Sequence, residues 1–306
     1  RSFTSSPRYS LNNLILSDNL PSPPLFLLEI CSIDLFIPSA TDVSPKELQD
    51  LMSRGWWNLS KQKRTTPIEH HFGDSYVKIT ADPKYGIASI WDNDILLFAI
   101  SQLMHNKNHG MAVGRRIQFT GYEFWEFTGK KRKSGKGYKD LWASLERLHH
   151  THVETNIRQE NKSRQHSFVW LSDIKQNHDG TRHTSFEITL PEWLYNSVIN
   201  DKNVLTLDEG YFDIRGGLER WLYLFARKSS GYNADGWVES TESIYLKSGS
   251  KTTLHEFRRQ IRKILSKGKL LGYDIGWEIT EKRDRKSLWN DNLFFARNTP
   301  KLIHKK

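Results

Sequence analysis

The stretch Thr253-Leu254-His255-Glu256-Phe257-Arg258-Arg259-Gln260-Ile261-Arg262-Lys263-Ile264-Leu265-Ser266 turns Leu254, Phe257, Ile261, Ile264 and Leu265 to one side of a helix. The other side presents His255, Glu256, Arg259, Arg262 and Lys263. Gly268 and Gly272 close the helix. An alternating strand follows (Tyr273, Ile275, Trp277, Ile279), then a basic tip from Glu281 to Ser287 and a last strand around Leu293 to Ala296. Upstream, a helix from Leu218 to Ser229 carries Leu218, Trp221, Leu222 and Phe225 on one face, and a short helix spans Thr241 to Leu246. Helices followed by a hairpin give the order of a winged helix, a helix-turn-helix variant whose hairpin is the wing.

The same order stands earlier in the chain. Asp92 opens a helix with Leu96, Ala99, Ile100 and Leu103 at i, i+3, i+4 and i+7. Further apolar residues on its other faces predict burial nearly all round. A strand Arg116 to Phe119 leads into Thr120-Gly121-Tyr122-Glu123, a capping box that starts a short helix. A third helix, Gly137 to His149, repeats the spacing with Tyr138, Leu141, Trp142, Leu145 and Leu148. Strands with Val153, Thr155 and Ile157, and with Phe168 to Leu171, flank a polar tip from Gln159 to His166, which reads as the first wing. The fold class expected is therefore α+β: two tandem winged-helix domains, residues 67–182 and 183–306. Residues 1–66 are rich in Ser, Pro and Asn early on, and read as a poorly structured, flexible leader with one short helix near Pro45 to Arg54.

Composition narrows the function. The 306 residues include 45 Lys and Arg against 35 Asp and Glu, a net charge of +10, with 37% hydrophobic residues. That is enough apolar surface to exclude wholesale disorder. The single Cys31 excludes a disulfide framework and Cys-rich zinc modules, and suits a reducing cytoplasm. The best apolar stretch, Leu25 to Ile37, is short of the ~20 residues of a membrane span and is broken by Glu29 and Asp34. The positive balance favours a polyanionic partner, and its distribution selects double-stranded DNA.

Two stretches concentrate the charge at the starts of the third helices, where a recognition helix enters the major groove. In the first half these are Lys130, Lys131, Arg132, Lys133, Lys136 and Lys139. In the second half they are Lys251, Arg258, Arg259, Arg262 and Lys263, together with Thr252 and His255. The hairpin tips add Lys162 and Arg164, then Lys282, Arg283 and Arg285, placed to neutralise phosphate. Arg259 has the reach to read guanine bidentately, whereas Arg258 lies closer to the apolar face. Glu256 either completes a capping box with Thr253 or accepts from cytosine.

No catalytic constellation stands out. His150-Thr151-His152 lacks the apolar middle residue of a rolling-circle nuclease metal pair, and no Tyr with a suitably spaced downstream Lys accompanies it. Gly129 to Gly137 lacks the ending of a nucleotide-binding loop. Asp92 and Asp94 sit at a helix start, where capping explains them. A non-enzymatic protein with no metal and no cofactor is expected.

Gly86-Ile87-Ala88-Ser89-Ile90-Trp91-Asp92-Asn93-Asp94-Ile95-Leu96 followed by Ile100-Ser101-Gln102-Leu103-Met104 resembles the plasmid replication initiator protein A family of proteobacteria. The resemblance continues through Tyr138 to Leu148 with Val153-Glu154-Thr155-Asn156-Ile157, Glu192-Trp193-Leu194-Tyr195, Leu218-Glu219-Arg220-Trp221-Leu222-Tyr223, Ala226-Arg227-Lys228, Lys247-Ser248-Gly249-Ser250 and Glu256-Phe257-Arg258-Arg259. It covers roughly residues 56 to 280. It implies a tandem winged-helix protein that binds repeated origin sites (iterons), opens a neighbouring AT-rich duplex, and engages a host replication initiator and the replicative helicase. It further implies a monomer active at the origin and a homodimer that represses its own promoter, no membrane association, and a cytoplasmic, plasmid- or nucleoid-associated location. One departure is the loop Lys130 to Lys136, which is more basic than the family leads one to expect. The alternatives are a winged-helix transcriptional repressor without a replication role and, less favoured, a metal-dependent nicking nuclease.

Overall fold

A computed structural model describes residues 35–38, 43–130, 135–157, 165–178, 184–200, 204–230, 236–267, 269–277 and 292–297. Its centre is the helix that the apolar spacing announces, α2 (Asn93–Asn108), which buries an unbroken run from Asn93 to Leu103. Phe98 packs its ring against Phe119, Phe124 and Phe127. Those rings come from β5 (Arg116–Thr120) and α3 (Gly121–Phe127). The Thr120 capping box forms as expected: its hydroxyl accepts from the Glu123 amide, and its own amide donates to Glu123 Oε2 at 2.6 Å. The basic helix α4 (Gly135–His150) closes this half by turning Leu141, Leu145 and Leu148 inward.

Strand pairing revises the expected wing. The hairpin of β6 (Thr151–Thr155) and β7 (His166–Val169) forms, but β6 also pairs with β4 (Ser75–Ala81), which pairs with β3 (Ile68–Phe72). The sheet order is β3-β4-β6-β7, separate from β5. The hairpin sharing a sheet with β5 is instead β8 (Asp173–His178) with β9 (Thr184–Thr189). A short strand β1 (Leu35–Phe36) lies parallel to β5 at the edge. The polarity of β8 hides it in the sequence; Ile174 opposite Ile188 and a 2.8 Å ion pair from Lys175 to Glu187 hold its register. The boundary expected between residues 182 and 183 cuts this hairpin, and β9 belongs by pairing to the first half.

After α5 (Glu192–Asn200) and β10 (Val204–Thr206), the second half repeats the order: α6 (Gly217–Ser230), β11 (Trp237–Ser240), α7 (Thr241–Ser248), α8 (Leu254–Leu265), β12 (Lys269–Leu270), β13 (Tyr273–Trp277) and β14 (Asn292–Arg297). Its sheet runs β11-β14-β13-β12, and the first runs β1-β5-β9-β8. In both, the strand after the first helix pairs with the last strand of the hairpin.

The expected leader is corrected for residues 43–59, which are built into the core, whereas residues 60–66 run along the surface. Here β2 (Lys46–Leu48) pairs with β10, and α1 (Gln49–Met52) follows. Leu48, Leu51, Met52, Trp56 and Trp57 are all buried. Trp57 stacks on Trp170 at 4.5 Å between ring centroids. The short helix expected near Pro45 to Arg54 forms as α1, but β2 and the buried tryptophans carry no periodic signal, so the rest of the segment reads as a linker in sequence. It also joins the halves: Trp221 Nε1 donates to the backbone Arg54 O at 3.0 Å, and the Arg64 side chain donates from Nη1 to Gly249 O at 3.0 Å. A Cβ on Gly217 would stand 2.0 Å from Leu59 O, so only glycine allows this approach.

A buried polar cluster ties α2 to α6. Asp94, fully buried, accepts from Arg220 Nη1 at 2.7 Å and also receives Lys130 Nζ. Arg220, 1% exposed, gives its remaining donors to Ile214 O and Phe212 O. Asp92 receives Arg147 bidentately, at 2.9 and 2.7 Å. The two aspartates therefore anchor cations; Asp92 makes no side-chain cap bond to α2.

Beside them Glu47 is fully buried, accepting from Asn93 Nδ2 at 2.6 Å. Burial pushes its carboxyl up from 4.5 to about 8. Burial also lowers His70, from 6.5 to about 4, with the opposite sign for stability. Above pH 6.5 His70 is neutral whether folded or unfolded, while Glu47 holds a proton only when folded. Stability is therefore expected to fall as pH rises from 6.5 to 8, with a slope approaching about 1.4 kcal/mol per pH unit. Urea titrations at steps across that window check it. Glu47→Gln should flatten the profile, and an unchanged slope in that variant contradicts the assignment.

Candidate nucleic-acid interface

Helix α8 divides cleanly by face. Phe257 and Ile261 are buried, with Leu254, Ile264 and Leu265 half-buried at the margins. At 100° per residue the opposite sector holds His255, Arg259, Arg262 and Lys263, all exposed. Thr253 caps the helix by accepting from the Glu256 amide at 3.3 Å. Lys251, just before the cap, is exposed. Thr252 shapes the turn before the helix, where its hydroxyl meets Ser250 Oγ at 2.9 Å and its carbonyl accepts from Tyr245.

Two side chains behave differently from expectation. Arg258 is only 7% exposed, because it falls at the edge of the apolar sector; in this structure it is not a surface cation. Glu256 completes no capping box. Its carboxylate is gripped by Arg259 through Nε and Nη2, both at 2.7 Å, and by Gln260. The Arg259 hydrogen bonds hold this acid down to about 2. The pair is screened by solvent, so Arg259 is pre-aimed yet releasable to a stronger acceptor.

In the first half, Lys136 and Lys139 are exposed near the start of α4. Lys130 is withdrawn to Asp94 and is half-buried. Lys131, Arg132, Lys133, Lys162, Arg164, Lys282, Arg283 and Arg285 lie outside the described residues.

The histidines have protein partners. His149 Nδ1 meets Leu171 O at 2.9 Å, His150 stacks on Tyr85 at 4.1 Å, and His152 Nε2 meets Ser167 Oγ at 2.6 Å. Among the described residues, no group of three His, Cys, Asp or Glu side chains is placed to hold a metal ion, and no helix is long and apolar enough to cross a membrane. Arg64 and Arg215 line a cleft beside α8 although they are remote from it in sequence, so no local pattern singles them out.

The chain is similar to known proteins in sequence and in fold. The family model described as Replication initiator protein A matches residues 46–275. A curated relative from Wigglesworthia glossinidia brevipalpis, described as "Putative replication protein", is 37% identical over 218 residues, covering 69% of this chain and 77% of its own. The crystal structure of domains 2 and 3 of RctB has a similar fold, with a TM-score of 0.58 at 10% identity, covering 79% of this chain and 95% of that one. A second structure of RctB domains 2–3 gives 0.51 at 11% identity over 80% and 95%. The family match begins at Lys46, in the segment that the packing places in the core. The chain belongs to the replication initiator protein A family.

Proposed function

We propose that this chain initiates plasmid replication by binding repeated origin sequences in duplex DNA, as a tandem winged-helix protein with α8 in a major groove. The observation that carries this reading is the outward face of α8, where His255, Arg259, Arg262 and Lys263 are exposed on a helix that is capped and backed by its own core. The repeated strand order of the two sheets supports treating each half as a winged helix, with β8–β9 and β13–β14 as the hairpins. Lys136 and Lys139 supply phosphate contacts from α4. Opening of AT-rich DNA, engagement of a host initiator and helicase, and repression of its own promoter as a homodimer follow as further parts of the proposal. The work is done by binding and not by catalysis: supercoiled origin DNA with Mg²⁺ or Mn²⁺ is expected to stay uncut, and a covalent tyrosyl–DNA product would overturn this.

Arg259→Ala is expected to cost about 1–3 kcal/mol on a cognate duplex and much less on random DNA. Lys136→Ala should weaken both alike. Anisotropy titrations of both variants on both duplexes check this, and equal losses for Arg259→Ala contradict a base-reading role.

A further inference from the structure

A cleft of about 550 Å³ lies beside α8, with walls from both halves of the molecule. Arg64, Arg215, Lys251, Lys263 and Lys267 line it, with Glu219 the lone carboxylate among the described residues that do. Glu219 is already committed to Lys267 at 2.8 Å. Arg64 gives its donors to the carbonyls of Thr66, Pro67 and Gly249, which leaves its charge uncompensated. Among the described residues, Arg215, Lys251 and Lys263 have no carboxylate partner. In other places part-buried cations meet carboxylates: Lys130 and Arg220 with Asp94, Arg147 with Asp92, Lys247 with Glu239. Five cations therefore line the cleft against one carboxylate, and the unmatched charges repel one another until an anion enters.

Its position identifies the anion. Gln260, Lys263, Ile264 and Lys267 line the cleft at i, i+3, i+4 and i+7. The first three form the sector of α8 next to His255, Arg259 and Arg262, Lys263 belongs to both, and Lys267 follows just past the helix end. A helix seated in a major groove ~12 Å wide has a phosphate backbone along its flank. No lining residue is aromatic, so a free nucleotide's base has nothing to stack on. We infer that this cleft is a phosphate seat, in which Arg64, Arg215, Lys251 and Lys263 clamp the backbone of the strand bordering the groove that α8 enters. The inference rests on the DNA-binding reading above and adds a contact that both halves share, so a seated backbone braces one half against the other.

The test uses the full chain, a 40-bp duplex recovered by selection from a random pool, and an unrelated 40-bp duplex. The double variant Arg215→Ala/Lys251→Ala alters only exposed side chains, and an unchanged Tm confirms its fold. It should lose affinity for both duplexes by the same factor, and its plot of log K against log salt should be less steep by about 1 for each contact removed. Lys251→Glu should weaken binding further than Lys251→Ala. Neutral methylphosphonate linkages along the border of the selected site should include one that weakens the unaltered protein but not the double variant. A wild-type salt slope in the double variant, while the unaltered protein still prefers the selected duplex, overturns the seat alone. Loss of that preference in the unaltered protein overturns the DNA-binding reading itself. Micromolar binding of tripolyphosphate alone, with the salt slope unchanged by the variant, would assign the cleft to a free anion and also overturn the seat.

Discussion

Arg220→Ala is expected to destabilise the protein by about 3–5 kcal/mol, the cost of stranding one member of a buried ion pair. Arg220 is 1% exposed and Asp94 fully buried, so water cannot replace the lost guanidinium. Lys130 still reaches Asp94, but from the solvent side, with a side chain 31% exposed. The carbonyls of Ile214 and Phe212 lose their donors as well. Urea unfolding followed by tryptophan fluorescence measures the loss. Asp94→Asn added to Arg220→Ala should recover part of it, because the stranded charge is gone. Simple addition of the two single losses would contradict a coupled pair.

Trp57→Ala should cost about 3–5 kcal/mol as well, by a different mechanism. Trp57 is fully buried and stacks on Trp170, which also meets Trp56, Phe168 and Trp193. Its indole nitrogen has no hydrogen-bond partner, so truncation orphans no polar atom and the whole cost is packing and cavity. Leu246→Ala, at a side chain 53% exposed, is the matched control and should stay within about 0.5 kcal/mol. A Trp57→Ala loss as small as the control's would return residues 43–59 to the status of a leader.

These variants probe features that no local pattern discloses. The long helices are legible because an apolar face buried against a core repeats every three or four residues. The spacing predicts a helix over Gly137 to His149, and Gly135–His150 forms; it predicts Leu218 to Ser229, and Gly217–Ser230 forms. The Thr120–Glu123 box is legible because capping chemistry is local. By contrast, β2 and β11 are short and β8 is mostly polar, and only their partners reveal them as strands. The hairpin belonging with β5 is misplaced in the sequence reading for the same reason: β6 and β7 carry the stronger apolar signal, yet pair with β4.

The interface is legible as charge and hidden as geometry. Runs of Lys and Arg locate α8 and the start of α4. Nothing local discloses that Arg258 turns inward, that Lys130 is withdrawn to Asp94, or that Glu256 grips Arg259. Arg64 and Arg215 are far from α8 in sequence, and the tertiary fold alone brings them beside it.

The most direct measurement is selection of duplexes from a random pool by the full chain, repeated with His255, Arg259 and Arg262 all changed to Ala. The unaltered protein is predicted to enrich directly repeated copies of one motif, with affinity falling by ~10³–10⁵ between 50 and 200 mM salt. The triple variant is predicted to enrich none. Recovery of the same motif by both proteins would contradict the placement of α8 against the bases.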